Sequence, residues 1–323
     1  MVQAVTAPVV TNVRTGRSQA VMIAAQGARG TAATSFSTRL WTDAAEVEPG
    51  RIKNIDGGRS MTTFGGDFID SRYSMPDLKE GVVTAKATPE SLDFLLRSNW
   101  GTPAAGVYAL APVVQTWYTL AYVEHTDAGP AQNMIRIQDA FFHRLELTVA
   151  DMGAALVRAS YLGRASLVGV NAGLPAMTHG SPAPADTNVF TMREAEFRRV
   201  SPATNLRFSS CVVTLDQRAI RGNSMTGGPK VDKGGKTAAV FEVRCEANDE
   251  NWALLTNARA STKETLRLTI SAPSPAKVLT LDLKNLDFDF KPVGHDGRRV
   301  KEFSAVGEAT VGADGSFVSI SIA

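Results

Sequence analysis

The chain has 323 residues, of which 44% are hydrophobic and 20% are charged, so it can bury a sizeable core and is not disordered by composition. Its 34 basic residues are nearly balanced by 32 acidic ones, which argues against a globally basic nucleic-acid-binding protein. The two cysteines exclude a disulfide scaffold, and the four histidines leave little material for a His-based metal site.

The beginning of the chain carries no recognisable membrane or export signal. Its longest apolar run covers residues 20–25, whereas a membrane-spanning helix needs about 20 apolar residues and a secretory core needs about 7–15. We therefore expect a protein that folds in a reducing cytoplasm, with Cys211 and Cys245 as buried free thiols.

Alternation of apolar and polar residues predicts strands through most of the chain. Residues 1–60 are expected to form extended arms and short strands. The strand candidates that follow are 67–73, 81–87, 116–123, 134–137, 144–149, 154–162, 207–216, 236–246, 266–270, 279–283 and 286–290. The last two are in opposite phase, which predicts a bulge near Lys284 and Asn285. Two further strands around Ala313 and Gly315 predict a hairpin.

Two helices and two long connections interrupt these strands. Thr88 can cap a helix over 89–99, and Asn248 can cap a second helix over 248–258 with an acidic first turn. Residues 166–205 are predicted to form a linker. Residues 217–235 are polar and glycine-rich, which predicts a loop that stays mobile until the protein assembles.

The order of these elements predicts an internal duplication. Aligning Pro89 with Asn248 superposes the two helices at an offset of 159 residues, and the same offset places 81–87 over 240–246. The predicted division is a first β domain with an extended N-terminal arm over 1–165, a linker over 166–205 and a second β domain over 206–323. The alternative is two unrelated β-helix-β segments.

No motif carries a complete catalytic or ligand-binding pattern. Residues 234–237 resemble the end of a phosphate-binding loop, but Lys230 stands where a glycine is required and a strand follows. Residues 222–227 have one residue too many for a nucleophile elbow. The scattered histidines are His125, His143, His179 and His295. We predict no catalytic, cofactor-binding or metal-binding residues, no cofactor and no enzymatic activity.

Several charged and aromatic residues nevertheless are candidates for a role at a surface, an interface or in the core. Asp287 and Asp289 share one face of a strand; such a pair can act in acid–base catalysis or bind a cation, but a solvated or lumen-facing acidic surface is favoured. Two basic clusters are either plain surface charge or salt bridges across a subunit interface, and the tryptophans are expected to be core or interface anchors. These residues are Arg193, Arg198, Arg199, Arg298, Arg299 and Lys301, and Trp41, Trp100, Trp117 and Trp252.

Three stretches carry a resemblance when they are taken together: the strand–helix unit 79–101, the segment 140–149 with 156–163, and the block 234–258 with the alternating strands after it. In element order the chain resembles the major tail tube proteins of long, non-contractile-tailed bacteriophages, the siphophage type, over most of 65–165 and 205–323. The resemblance implies a mainly β fold of duplicated tail-tube-type β-sandwich or barrel units, each with a short flanking helix. It further implies rings that stack into a hollow tube through which DNA passes into the host.

The same resemblance implies location and partners. The protein is expected in the virion tail after assembly in the host cytoplasm, in contact with further copies of itself, the tape measure protein, the tail terminator and distal tail proteins, and with DNA that passes non-specifically through the lumen. Single-unit relatives form six-membered rings, so two units per chain predict three chains per ring, with a true hexamer as the alternative. The chain departs from the family in its slightly basic net charge and in the absence of an immunoglobulin-like decoration domain.

Two other functions remain open on the sequence. One is a carbohydrate-binding or carbohydrate-active β-sandwich protein with Asp287 and Asp289 as its carboxylates, although aromatic residues make up only 7% of the chain. The other is a different structural component of a virion, such as a capsid or tail-terminator protein.

Overall fold

The fold is given by a computed structural model. It describes residues 19–34, 36, 38–40, 42–47, 52–56, 72–76, 79–100, 103–108, 116–125, 132–150, 153–163, 165–170, 189–191, 193, 195–224, 228–246, 249–260, 262–273, 276–291, 302–311 and 316–323. Within these ranges the chain is mainly β, as predicted, with nineteen strands and two helices.

The elements follow one another in this order. They are β1 Gln19–Ala25, β2 Thr38–Leu40, β3 Thr42–Val47, β4 Ile52–Asp56, β5 Arg72–Pro76, β6 Lys79–Lys86, α1 Pro89–Trp100, β7 Val107–Tyr108, β8 Tyr118–His125, β9 Gln132–Ala150, β10 Leu156–Gly163, β11 Ala165–Val170, β12 Ala195–Arg199, β13 Thr204–Asn205, β14 Phe208–Ser224, β15 Gly228–Glu246, α2 Asp249–Arg259, β16 Glu264–Pro273, β17 Ala276–Lys291, β18 Glu302–Ala309 and β19 Val318–Ile322.

Both predicted helices are present, and each bound agrees to within one residue. Thr88 and Ser91 cap the N-terminus of α1 with two reciprocal hydrogen bonds. The Ser91 backbone N–H donates to Thr88 Oγ1 at 3.1 Å, and the Thr88 N–H donates to Ser91 Oγ at 3.0 Å. In α2 the Asn251 amide donates to the carbonyl oxygens of Arg207 and Glu246, at 2.8 and 2.6 Å. The Ser91 hydroxyl also donates to the Lys86 carbonyl oxygen of β6 at 3.3 Å, so a side-chain hydrogen bond attaches each helix to the strand that precedes it.

Eight strands form one continuous antiparallel sheet. Its order is β3–β6–β10–β9–β14–β15–β18–β17. The step from β9 to β14 joins the first half of the chain to the second, because Thr148 pairs with Val212 and Glu146 with Thr214. We call these eight strands the continuous sheet.

A second layer consists of two smaller antiparallel groups. One has the order β2–β1–β8–β9–β11, and the other has the order β12–β16–β17–β19–β7, with β13 beside β12. The first parts of β9 and β17 therefore belong to this second layer, and their later parts belong to the continuous sheet. The strands β4 and β5 pair only with each other among the described residues.

The strands β9 and β17 pass from one layer to the other at residues with left-handed backbone conformation. Asp139 in β9 has φ +53°, and Asn285 in β17 has φ +47°; Asp and Asn tolerate this region better than other side chains do. The pairing register shifts beside each bend, in β8 and in β16. The predicted irregularity near Asn285 is confirmed. Gly163 ends β10 next to the first bend, where a Cβ atom would collide with Ile137.

Aromatic rings fill the space between the layers. Phe142 of the continuous sheet lies between Tyr118 of β8 and Tyr161 of β10, with centroid separations of 6.1 and 6.2 Å. In the second half of the chain, Phe197 of β12 contacts Phe241 of β15 at 5.1 Å. All five rings are buried, so both halves of the chain have an aromatic centre at the layer boundary.

Several predicted elements differ from the structure. Candidates 134–137 and 144–149 are one strand, β9, because the bend at Asp139 carries the strand from one layer into the other without breaking it. Residues 217–235 were predicted to be a loop, but β14 runs to Ser224 and β15 begins at Gly228, so main-chain pairing continues into this segment. The polar, glycine-rich composition of this segment gave no indication that its two sides pair with each other.

The predicted C-terminal hairpin is also wrong in its pairing. Both strands exist, but β18 pairs with the second part of β17 and β19 with the first part, and they do not pair with each other among the described residues. The predicted linker 166–205 is wrong at both ends, where β11, β12 and β13 are strands. Its middle, 171–188, lies outside the described residues, as do candidate residues 67–71 and the first part, 1–18, of the predicted arms. The domain boundaries at 165 and 205 stay a prediction.

Truncating the central ring should expose how much the layer boundary stabilises the fold. We expect Phe142→Ala to lower the free energy of unfolding by about 3–5 kcal/mol, because it removes a fully buried ring and leaves a cavity. Chemical denaturation measures this change. The control is Thr148→Ala on the opposite face of the same strand, where a change within about 0.5 kcal/mol is expected; equal effects at both positions would contradict the assigned faces.

Candidate assembly and channel surface

The continuous sheet has one packed face and one face open to solvent. Along β9, Leu145, Leu147 and Val149 are buried, whereas the alternate residues Arg144 and Glu146 are exposed and half-buried, respectively. The same alternation holds in the paired strands, because antiparallel register keeps side chains of one row on one face. We call the solvent side of this sheet the open face.

Cross-strand rows run over the open face from one end to the other. One row is Lys86, Leu156, Thr148, Val212, Glu242, Val306 and Asp289. The next row is Thr84, Arg158, Glu146, Thr214, Val240, Glu308 and Asp287. Both rows cross the β9–β14 step without interruption, so residues far apart in sequence lie side by side on a single surface.

Acidic side chains are the more numerous charges on this surface. Those described are Glu146, Asp216, Glu242, Glu246, Asp287, Asp289 and Glu308, against Lys86, Arg144, Arg158 and Arg244. The described part of the open face is therefore net acidic, although the whole chain is slightly basic.

The charges are unevenly distributed along the rows. Around β9 they are balanced: Arg144 forms an ion pair with Glu146 at 3.3 Å and lies opposite Asp216. At the β17 end, Asp287 lies directly opposite Glu308, and both are exposed. Like charges placed opposite each other cost about 0.2–1 kcal/mol, so this end of the sheet is not arranged for maximal stability.

The sequence-predicted residues are placed as follows. Asp287 and Asp289 share one exposed face of β17, as predicted. His125 ends β8 and His143 lies in the middle of β9, whereas His179 and His295 lie outside the described residues. In the described ranges no group of three or more His, Cys, Asp or Glu side chains could hold a metal ion. Residues 234–237 lie within β15, so no helix begins there.

One residue of the predicted basic clusters has a different role. Arg199 is buried and forms a two-point ion pair with Glu264: Nε donates at 2.7 Å and Nη2 at 2.9 Å. The Asn257 amide also donates to Glu264. Arg199 is thus neither surface charge nor an intersubunit salt bridge. The partner lies 65 positions away, and no local sequence signal pointed to it. Arg298, Arg299 and Lys301 lie outside the described residues.

Of the tryptophans, Trp117 has a described contact with a charged side chain, close to the first bend. The Arg29 guanidinium lies over the Trp117 ring at 4.9 Å, and the Gly30 backbone N–H donates to the buried Asp139 carboxylate at 2.8 Å. The segment after β1 is thereby attached to the bend of β9. Trp252 is half-exposed on α2, and the side chains of Trp41 and Trp100 are outside the described set.

Both cysteines are free and buried, as predicted. Burial raises the pKa of the Cys245 thiol to about 12. Burial also raises the pKa of Cys211, and the neighbouring Cys245 adds to the effect. Both thiols are therefore held in the protonated state, which suits side chains that serve as small apolar groups in the sheet.

Breaking the buried ion pair should be costly. We expect Glu264→Ala to lower the free energy of unfolding by about 3–5 kcal/mol, because Arg199 keeps a buried charge without its counter-ion. Asp282→Ala is the matched control: it breaks an equally close, two-point pair with Arg267 that is partly open to water, and about 1 kcal/mol or less is expected there. Thermal and denaturant unfolding report both values. A smaller loss at Glu264 than at Asp282 would contradict this view.

The thiols also predict a pH dependence. Because the folded protein retains protons that the unfolded chain releases above about pH 9, stability contributed by each thiol is present below that pH and declines by about 1.4 kcal/mol per pH unit above it. Denaturant titrations between pH 8 and 10 measure the slope. Cys211→Ala and Cys245→Ala should each flatten it, whatever their effect at pH 7; an unchanged slope in both variants would refute the assignment.

No helix in the described part of the chain has the length and apolar character needed to cross a membrane. Comparison with known proteins finds no protein-family model and no curated protein sequence that matches the chain.

Proposed function

We propose that this protein is a structural subunit of the siphophage tail-tube type: copies join into rings, the rings stack into a hollow tube, and DNA passes through the lumen into the host. The observation that carries the proposal is the β9–β14 step. It joins two sets of strands edge to edge into one sheet with a packed face and an acidic open face. A tube wall requires such sideways growth of a sheet.

The two sets of strands support an internal duplication, because the same pairing scheme occurs twice. In the first half, β6 and β9 flank β10, β8 and β11 flank the first part of β9, and β1 and β3 pair with β8 and β6. In the second half, β15 and β17 flank β18, β16 and β19 flank the first part of β17, and β12 and β14 pair with β16 and β15. A helix follows β6 and β15 alike.

The irregularities support it as well. Asn285 follows Asp139 by 146 positions, and in the described part of the chain these are the two non-glycine residues inside strands with positive φ. The register shift between the pairs Tyr118–Ala140 and Leu120–Ile137 occurs again, 146 positions later, between Glu264–Leu286 and Leu266–Leu283. Bulges re-aim strands at defined places, so a shared bulge at one constant offset is more specific than a shared strand order.

The strand pairs refine the offset. Tyr161 of β10 and Gly307 of β18 are 146 positions apart, the same offset as the two bends. Their partners across the sheet are Gly81 and Phe241, which are therefore equivalent although they are 160 positions apart. The sequence offset of 159 matches buried Leu95 of α1 to buried Leu254 of α2 but would turn the strand over, since a shift of one residue exchanges its faces. The helices begin at the same offset as the strands, because Pro89 and Asp249 are also 160 positions apart.

The open face supports a channel wall more than a binding groove. Its net acidity repels a polyanion, so DNA could slide along it without being held. Among its described residues there is no aromatic side chain, so nothing on it favours the carbohydrate alternative. We propose no enzymatic role. Tape measure, tail terminator and distal tail proteins are the further partners that the resemblance implies, and the virion tail is the expected location.

Electron microscopy of the purified chain tests the proposal. We expect rings or tubes, and a reconstruction in which three chains close a ring with pseudo-six-fold symmetry, because each chain supplies two units. Six chains per ring would contradict the place of the duplication in the ring. Monodisperse single chains under all conditions of salt and concentration would contradict the tube function itself.

The acidic pair provides a second test. Asp287→Asn with Asp289→Asn should leave assembly intact and raise the free energy of unfolding by up to about 1 kcal/mol, because it relieves repulsion with Glu308. Denaturation and microscopy measure both effects. The control Asp216→Asn removes a charge that faces Arg144 and should lower stability slightly. A glycoside-hydrolase turnover that is lost in the double variant would contradict a purely structural role.

A further inference from the structure

The connection between β1 and β2 covers an apolar strip on the outer side of the second layer. Successive residues of β1 belong alternately to the main core and to a separate buried cluster on that outer side. The separate cluster consists of Met22, Ala24, Phe36 and Ala121, with Ala33 packed against it. Phe36 and Ala33 belong to the connection, which therefore folds back over the strand that it leaves. We call residues 27–34 and 36 the strap, and Met22, Ala24 and Ala121 the covered strip.

The second half of the chain has charged residues at the same positions and a shorter connection. Met22 lies opposite Ala121, and Arg198 lies opposite Arg267. Ala121 and Arg267 are 146 positions apart, the offset of the two bends. Arg267 forms an ion pair with Asp282 that is partly open to water, and the connection from β12 to β13 spans only 200–203. The outer face is thus apolar where a strap covers it and charged where the connection is short.

Two backbone N–H groups of the strap donate to buried side chains of the second layer. Gly30 donates to Asp139 Oδ1 and Ala33 donates to Thr119 Oγ1, each at 2.8 Å. Gln26, just before the strap, links the two acceptors when its amide is oriented to satisfy both: its nitrogen donates to Asp139 and its oxygen accepts from Thr119, each at 2.8 Å. Asp139 therefore has a second role besides the bend, because its carboxylate fastens the strap.

We propose that the strap is a latched cover that opens about Gln26 while the two layers stay folded, with Asp139 as the latch. Gln26 is suited to be the hinge because its own N–H donates to the Trp117 carbonyl oxygen at 2.8 Å and continues the pairing of β1 with β8. Opening exposes the covered strip, so the latch controls whether this apolar surface is accessible. The inference concerns the single chain and does not depend on the proposed function.

The balance of contacts favours local opening over unfolding of the whole chain. Residues 27–30 are exposed. The described contacts that hold the strap to the layer are the two hydrogen bonds, the packing of Phe36 and Ala33, and the Arg29 guanidinium over the Trp117 ring. Opening leaves no charge buried without a partner, because water can hydrate the Asp139 carboxylate once the strap has moved. Segments with few apolar contacts open at a smaller free energy than core strands.

Hydrogen exchange of the wild-type chain in low denaturant tests whether the strap opens by itself. The Gly30 and Ala33 amides should be about 100-fold less protected than those of β10, and denaturant should hardly change their rates. The interior strand β10 is the reference because it is paired on both sides. Equal protection and equal denaturant dependence in the strap and in β10 would mean that only global unfolding frees the strap, which overturns the inference.

A substitution at the first bend tests the latch. Asp139→Gly removes the carboxylate and keeps the bend, because glycine adopts positive φ without strain. We expect the Gly30 and Ala33 amides to exchange about 10- to 100-fold faster than in the wild-type chain. Met22 should be oxidised by a peroxide faster by a similar factor, because its sulfur lies under the strap. Asn285→Gly, at the other bend, is the matched control and should leave both rates unchanged.

A second variant keeps the proposal testable if Asp139→Gly does not fold. Thr119→Val removes the hydroxyl that accepts from Ala33 and leaves the bend untouched, so the Ala33 amide should exchange about tenfold faster. Wild-type strap rates in a folded variant that lacks an acceptor overturn the inference. Equal acceleration of the strap and of β10 overturns it as well, because the whole chain rather than the cover would then be opening.

Discussion

The strands β9 and β17 each hydrogen-bond to strands of both layers, and the rest of the architecture depends on this sharing. The first part of β9 pairs with β8 and β11, and its later part pairs with β10 and β14. A sandwich of two separate sheets is held together by side chains alone. Here the main chain itself crosses the core, so the bend at Asp139 sets the position of one layer relative to the other. The bend at Asn285 does the same in the second half.

The two halves of the chain stabilise the surroundings of their bends by different interactions. Tyr118, in β8 beside the first bend, packs edge to face against Phe94 and Phe142, and burial raises its pKa to about 12. Glu264 begins β16 beside the second bend and accepts two hydrogen bonds from buried Arg199. Under the proposed duplication these positions are equivalent, so an aromatic cluster in one unit corresponds to an ion pair in the other. Such divergence is compatible with one fold because both groups of side chains are buried beside the bend, and it lowers sequence identity between the proposed units.

A sheet that grows sideways has to manage its edges. The β9–β14 step covers two edges within the chain, and β7 covers part of the edge of β19. The acidic open face follows the same logic: Asp287 and Glu308 face each other at some cost in stability, which is consistent with selection for the charge of the surface over the stability of the subunit.

Local patterns in the sequence determined the secondary structure and the mainly β class. Alternation located most strands, and the caps at Thr88 and before Asp249 located both helices, because period and capping depend on neighbours within a few residues. The opposite phases on either side of Asn285 likewise predicted the bend. Cys211 and Cys245 could be assigned as buried thiols from their type and alternation.

Pairing could only be decided by the tertiary structure. The segment 217–235 is polar enough for a loop, yet its two sides hydrogen-bond to each other as strands. The strands β18 and β19 follow each other in the chain, yet both pair with β17. In the sequence Arg199 is typical of a surface charge, but in the structure it forms a buried ion pair with Glu264, far along the chain. The rows of the open face are assembled from seven strands. Which residues share a row depends on register, a long-range property that a single-residue slip would reverse and that no local pattern contains.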